Sequence, residues 1–270
     1  MRAPMSTPMA GATNLAGSVL EETEAWVGAV RANSGSVSDD RARVVGAFIA
    51  AEKDAGTWAL TDDYWALWGE NATQALVSLK QRRLATTSGS PTFAANTGYT
   101  FSGTNYINTG FIPSSHAVNL VAASGRLASY DRTNVAASNT VISAGAVDLT
   151  IVTRSSTGLM RGAMCSATFN VTGSEASDRR GHNVLVRTGA TTGIAYRRGA
   201  ASGSGGTVAS TTALPSVALF IGGANSAGSI TGGFAGSIGM FVIGAPLTAA
   251  QEAAHYTNVQ AWATSVGANV

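Results

Sequence analysis

Cysteine occurs once in the 270 residues, as Cys165. A single thiol excludes an internal disulfide framework and any cysteine-based metal cluster. Charge is scarce too: 12% of the residues are Asp, Glu, Lys or Arg, about half the share of roughly 25% usual in globular proteins. Beside 45% apolar residues, that poverty disfavours a disordered chain and fits a turn-rich β protein. No apolar run approaches the ~20 residues that a bilayer-spanning helix needs. The opening "MRAPMSTPMAGATNLAG" lacks the unbroken apolar core of a signal peptide. The expectation is a soluble chain that leaves by no standard export route. Lysine is missing after residue 90, where 9 Arg face 5 acidic residues. That surplus is too dilute for a nucleic-acid footprint, so neither nucleic acid nor membrane is expected as a partner. The pairs Arg179–Arg180 and Arg197–Arg198 read as solvated loop charges.

What is present changes character near residue 90. Residues 1–90 read as helices. In "SVLEETEAWVGAV", Ser18 and Glu21 have the spacing of a capping box, with Gly35 as a stop. In "SDDRARVVGAFIAAEKDAG", Ser38 caps, Asp39 and Asp40 favour the positive helix end, Gly56 ends it, and Val44, Phe48 and Ala51 share a face. "TDDYWALWGENATQALVSLKQRRL" reads as the strongest helix. Thr61 is its cap, Asp62 and Asp63 fill the first turn, Arg82 and Arg83 fill the last, and Trp65, Trp68, Ala72, Ala75 and Leu79 form a stripe.

Residues 91–270 follow a period of two. "NTGYTFSGTNYINTGFIPSS" sets Tyr99, Phe101, Tyr106 and Phe111 among turn residues and predicts a strand–turn–strand unit. "HNVLVRTG" alternates His182, Val184 and Val186 against Asn183, Leu185 and Arg187. "SVALFIGG" places Val217, Leu219 and Ile221 on one face, and "FAGSIGMFVIG" does the same with Phe234, Ile238, Met240 and Val242. "GAASGSGGTVAS" reads as a surface loop. This is the pattern of a mainly β protein, an antiparallel β-sandwich. A helix over 248–266 closes the chain, with the T-x-x-Q box of Thr248 and Gln251 at its start and Gly267 at its end. Tyr256, Val259, Trp262 and Val266 would line one side of it.

"GYTFSGTNYINTGF" resembles the first hairpin of laminin-G-like, concanavalin-A-like jelly-roll domains. "HNVLVRTGATTGIAYRRGA" is similar to a later hairpin of that family, and "LFIGGANSAGSITGGFAGSIGMFVIGAPLTAAQEAAHYTNVQAW" to its closing unit. The three pieces stand in the family's order. A helical preface before "SPTF…GYT" also resembles virion- and tail-associated proteins of bacteriophages and prophages. The resemblance implies two domains: 1–90 as a helical attachment and oligomerisation region, and 91–270 as a jelly roll with its C-terminal helix. Calcium-binding members group carboxylates near a loop, whereas Asp131, Asp148, Glu175 and Asp178 are scattered here, so no metal or other cofactor is expected.

Catalytic patterns are missing. No E-x-D-x-x-E spacing follows residue 90, no G-x-S-x-G elbow or Walker-type loop occurs, and His116, His182 and His255 share no ligand spacing. The two later histidines are expected to be structural. Sugar recognition needs a ring over the apolar C–H face and polar groups for the hydroxyls. "SYDRTN" supplies Tyr130, Asp131, Arg132 and Asn134, "AYRRG" supplies Tyr196 and Arg197, and "GGANSAG" supplies Asn225. The expectation is a non-enzymatic phage virion protein that displays a lectin-like domain toward host-surface polysaccharide. It would be assembled in the bacterial cytoplasm and joined to other virion proteins through 1–90. Exposed helical stripes imply a homo-oligomer, a trimer among its forms. The alternatives are a purely structural capsid, collar or tail decoration protein, and a glycan-cleaving enzyme.

Overall fold

The computed structural model describes residues 10–135, 141–145, 148–166, 171–175, 177–189, 191–204 and 213–270. Two helices come first, α1 (Ala10–Ala32) and α2 (Asp39–Asp54), followed by β1 (Thr61–Ala66) and a short α3 (Ala72–Leu76). Next come β2 (Thr86–Ser88), β3 (Thr92–Ala94), β4 (Gly98–Ser102), β5 (Tyr106–Asn108) and one helical turn, α4 (Pro113–His116). The chain continues through β6 (Gly125–Asp131), β7 (Ile142–Ala144), β8 (Leu149–Val152), β9 (Leu159–Met164), β10 (Val171–Glu175), β11 (Gly181–Arg187) and β12 (Gly193–Arg197). The last elements are β13 (Ala200–Ser204), β14 (Phe220–Ile221), β15 (Ala224–Ser226), β16 (Ser229–Thr231), β17 (Ala235–Gly244) and α5 (Ala249–Ser265).

Two antiparallel sheets carry the fold. The larger runs β13-β12-β11-β6-β17-β4-β3, with β1 also paired to β17; the smaller runs β10-β9-β8-β7-β14-β5-β2. Leu127, Leu185 and Phe241 of the larger sheet meet Ile142, Ile151 and Met160 of the smaller in one apolar core. A second core lies on the other side of the larger sheet, where Ala128, Tyr130, Val184 and Val242 pack against Trp26, Phe48 and Trp262 of the helices. The molecule is therefore a β-sandwich with a helical layer on one face, and β6 and β11 are buried along their whole length.

The helix expected over "TDDYWALWGENATQALVSLKQRRL" is corrected by the structure: its first six residues are β1 and only Ala72–Leu76 is helical. A helix would put Trp65 and Trp68 on one side. Strand pairing with β17 instead sends Trp65 into the sandwich, stacked 5.6 Å from Phe241, and Trp68 reaches the helical layer, 5.6 Å from Trp262. The two carboxylates still accept backbone N–H groups, as at a helix start, but from loops. Asp62 takes those of Val118, Asn119 and Leu120 (3.0, 2.7 and 2.9 Å), and Asp63 takes those of Tyr64, Lys80 and Gln81 (2.9, 3.1 and 3.1 Å).

Other helix signals are read with mixed success. Ser38 caps α2 by accepting the Arg41 N–H, and Thr248 and Gln251 form both halves of the capping box on α5. Ser18 does not cap, because α1 begins at Ala10. That helix closes on Ser34, in the left-handed region at φ 63°, and on the Gly35 N–H donating to Val30 O. The buried faces also differ from the expected stripes: Arg41, Val45, Phe48, Ile49 and Glu52 on α2, and Glu252, His255, Val259, Trp262 and Ala263 on α5. Hydropathy points away from those faces because buried charged residues occupy part of each.

The strand runs fare similarly. β11 and β12 pair as a hairpin, Asn183 opposite Arg197. β4 and β5 do not pair; they lie in different sheets, joined by a corner at Gly103 (φ 93°), against whose backbone only a glycine at 233 fits. The one-faced reading of 234–242 is also corrected. Phe234 and Ile238 enter the sandwich core, whereas Met240 and Val242 enter the helical core, because a register shift between Ile238 and Met240 inserts Gly239. In "GAASGSGGTVAS", Ala200–Ser204 is a strand and 205–210 lies outside the described residues.

Candidate functional site

Antiparallel pairing brings the ends of β6, β8, β10 and β12 and the starts of β9 and β11 to one end of the sandwich. Gly181 stands opposite Asp131, Val152 opposite Arg161, and Glu175 opposite Leu159. The loops there, 132–135, 153–158 and 177–180, form a rim drawn from both sheets. Between them is a concavity of about 400 Å³ lined by Arg154, Ser156, Thr157, Gly158, Glu175 and Ser177.

The rim rests on a buried ion pair. The Arg179 guanidinium donates through Nε (2.9 Å) and Nη2 (2.5 Å) to Asp131 Oδ2, and both side chains are fully buried. Ser129 donates to the other carboxylate oxygen, and the guanidinium stacks 4.5 Å over the Phe234 ring. This corrects the reading of Arg179 as a solvated loop charge. Only its neighbour Arg180 and Arg198 are exposed.

Asn134 ties the loops together above that pair. Its Oδ1 accepts from Arg154 Nη1 (3.1 Å) and the Arg179 N–H (3.2 Å), while its Nδ2 donates to Ser177 O (2.9 Å). Arg197 adds a second bracket, donating to Asp178 O and Thr153 O, both at 2.9 Å. The Asp178 carboxylate receives Arg180 (2.9 Å) and Arg198 (3.3 Å). Hydrogen bonding from Arg180, against a smaller effect of burial, holds its pKa down to about 2. The surface so built is polar, with guanidinium, hydroxyl, amide and carboxylate groups carried on hydrogen-bonded loops at the strand ends.

Of the seven residues singled out from the sequence, Asn134 and Arg197 belong to this rim and Asp131 lies beneath it. Arg132 is half-buried beside it, with its backbone N–H on Ser237 O. Tyr130 and Tyr196 face the helical layer instead, since alternate residues of a strand point to opposite sides. The Tyr130 hydroxyl donates to Gln260 Oε1 at 2.8 Å, and its ring meets Trp68 edge-on at 5.2 Å. Both tyrosine rings are buried, which removes them as platforms for a sugar. Asn225 is at the far end, where Gly145 pairs with it; it staples its own hairpin by accepting from the Gly228 N–H and donating to Ala218 O. The concavity's own residues were missed. "RSSTG", 154–158, is an ordinary polar turn by composition, and only the strand order places it beside Glu175.

A second polar cluster lies under the helices. Glu52 of α2 accepts from Tyr64 Oη (2.6 Å), Thr57 Oγ1 (2.7 Å) and Asn258 Nδ2 (2.8 Å), and its Oε2 lies 2.8 Å from His255 Nδ1. Burial alone would raise the Glu52 carboxyl, but His255 and the donated hydrogen bonds hold it down to about 2. Arg126 makes a two-pronged pair with Glu252 of α5 at 2.6 and 3.0 Å. The His182 ring sits 5.0 Å from that of His255, and neither of its nitrogens has a protein partner. Apart from half-buried Asn258 these groups are buried, and both histidines sit inside the protein. His116, at the surface, accepts the Ile112 N–H. Among the described residues no group of three or more His, Cys, Asp or Glu is placed to hold a metal ion.

No family model matches the chain, and no curated protein matches it. Solved structures do. Domain 4 of AbnA, a GH43 extracellular arabinanase from Geobacillus stearothermophilus, in complex with arabinotriose, is similar at 14% identity and a TM-score of 0.50; the match covers 72% of this chain and 97% of that domain. Trypanosoma rangeli sialidase in complex with 2,3-difluorosialic acid is similar at 13% identity and a TM-score of 0.51. What is shared is the fold. The match covers 83% of this chain but 40% of the sialidase. The β-sandwich expected from the concanavalin-A-like resemblance is thus supported by comparison as well as by sheet order.

Proposed function

We propose that the chain is a non-catalytic glycan-contact protein that uses the rim between the two sheets. The observation that carries this reading is the concavity of about 400 Å³ lined by Arg154, Ser156, Thr157, Glu175 and Ser177, a set of donors and acceptors suited to sugar hydroxyls. Its support from outside is a domain of the same fold, matched over 97% of its length, that is described in complex with arabinotriose. The carboxylates support a non-catalytic role. Glycoside hydrolysis needs one carboxyl that can give up a proton and a second across the bond. Glu175 is the one carboxylate in the lining, and nearby Asp178 is held ionised by its two arginines. Display on a bacteriophage particle is the finer form of the proposal and rests on the sequence resemblance. Many copies would make weak rim contacts effective.

Screening the full chain against a glycan array, arabinan and sialylated glycans included, tests this. Selective binding that Arg154→Ala and Glu175→Ala abolish is the expected result; no binding to any glycan would end the reading. A purely structural role in an assembly is the second reading. The burial of Tyr130 and Tyr196 favours it, because the rim then lacks the ring that usually covers a sugar's apolar face.

A further inference from the structure

Among the described residues, nothing covers the outer surface of the helical layer. α1 and α2 lie antiparallel: Lys53, near the end of α2, donates to Ser18 O at 3.0 Å, and Thr23 sits beside Gly46 halfway along. The inner sides of the two helices are committed, with Trp26, Val30, Val45 and Phe48 buried. On the solvent side an open groove of about 1050 Å³ runs between them, lined by Val19, Leu20, Val27, Ala42, Ala47 and Ala50. Leu20 is 58% exposed there. A contiguous apolar groove of this kind marks an interaction surface.

The charges on its borders identify the occupant. Glu24 stands on one side of the midpoint, Val27 and Gly28, and Arg31 on the other, while Arg43 of α2 lies level with the midpoint. Arg43 is held by Asp40, with both side chains still largely in solvent. A two-fold axis through Val27 and Gly28 would set Glu24 of one copy against Arg31 of the other, and the reverse pairing follows by symmetry. Self-complementarity is the property that an isologous interface requires. A Cβ placed on Gly28 would meet nothing within its own chain, so that position is open to a close helix crossing. We propose that this groove receives the α1–α2 pair of a second copy of the chain, forming a two-fold dimer through the helical layer. The rim plays no part in this, and the two proposals can fail separately.

Charge exchange tests the geometry. In sedimentation and light-scattering measurements across the micromolar range, the full-length chain is expected to have the mass of two chains. Glu24→Arg alone, and Arg31→Glu alone, should each weaken self-association by roughly tenfold or more, since like charges then face each other across the axis. Mixing the two variants should restore a dimer, because every pair across the axis is again of opposite sign. All these sites are on the helix surface, so unchanged thermal melts report that the fold is kept. A single-chain or three-chain mass for the wild type, or a dimer indifferent to the reversals, would overturn the proposal.

Discussion

The two faces of the larger sheet are both buried, yet they are filled in different ways. Toward the smaller sheet the core is almost wholly apolar in its middle, and charge enters at the ends: Asp131–Arg179 beneath the rim, and Arg187, whose guanidinium donates to the Met164 and Cys165 carbonyls (2.6 and 3.1 Å). Toward the helices, two buried charged pairs, Arg126–Glu252 and Glu52–His255, bridge between layers and join α5 to β6 and to α2. Backbone ladders fix the strands within each sheet, and short connections such as the Gly103 corner tie the two sheets across a shared apolar core. Helices laid on a sheet have no such ladder, and a two-pronged Arg–Glu pair at 2.6 and 3.0 Å sets their position as apolar side chains alone would not. The contrast teaches that the helical layer is an integral third layer of the fold, locked by directional bonds.

The strongest challenge to this contrast is to remove one half of each buried pair. Arg126→Ala and Arg179→Ala should each lower unfolding stability by about 3–5 kcal/mol, because Glu252 and Asp131 are left charged and buried. Urea denaturation reads both. Replacing both members of the helical pair, Arg126→Met with Glu252→Leu, should return stability close to wild type while broadening the thermal transition of the helices, if the pair sets position more than strength. A smaller effect is expected where the two faces meet in one strand. A methyl on Gly239 would lie 2.7 Å from the Trp68 ring, so Gly239→Ala should cost about 1–3 kcal/mol by overpacking.

Acidity should separate the faces further. Burial, then the neighbouring His255 and Arg126, push His182 well below its usual pKa. Below about pH 6.5 the unfolded chain takes up that proton and the folded chain does not, so stability falls with pH by up to about 1.4 kcal/mol per unit. Glu52, held down to about 2, continues the loss below its ordinary pKa of 4.5. His182→Leu should flatten the part of a Tm–pH profile near pH 6 and leave the Glu52 part in place.

Much of the fold is legible from the sequence. The shift to a two-residue period, the T-x-x-Q box before α5 and the Ser38 cap are local signals, and local chemistry satisfies each one. What could not be read is whatever depends on a distant partner. Trp65 and Trp68 keep helical spacing until β17 offers Phe241 as a neighbour. Arg179 looks solvated until Asp131, 48 positions away, supplies its carboxylate. Glu52 and Glu252 break apolar stripes because their partners, Tyr64, His255 and Arg126, lie on other elements. The rim was half legible for the same reason: Asn134 was named as a ligand group, but its work of joining three loops depends on Arg154 and Ser177.

The extra residue at Gly239 gives β17 a phase as well as a composition. Upstream of it the strand feeds one compartment with its even-numbered side chain, Ile238; downstream the odd-numbered Phe241 and Ile243 take over that duty. A regular strand that kept this glycine would turn the whole downstream half inside out and trade Phe241 for Met240 beneath Trp65; the bulge absorbs the extra residue and prevents it. Which compartment each later side chain enters is thus decided at a point where the hydropathy looks unremarkable.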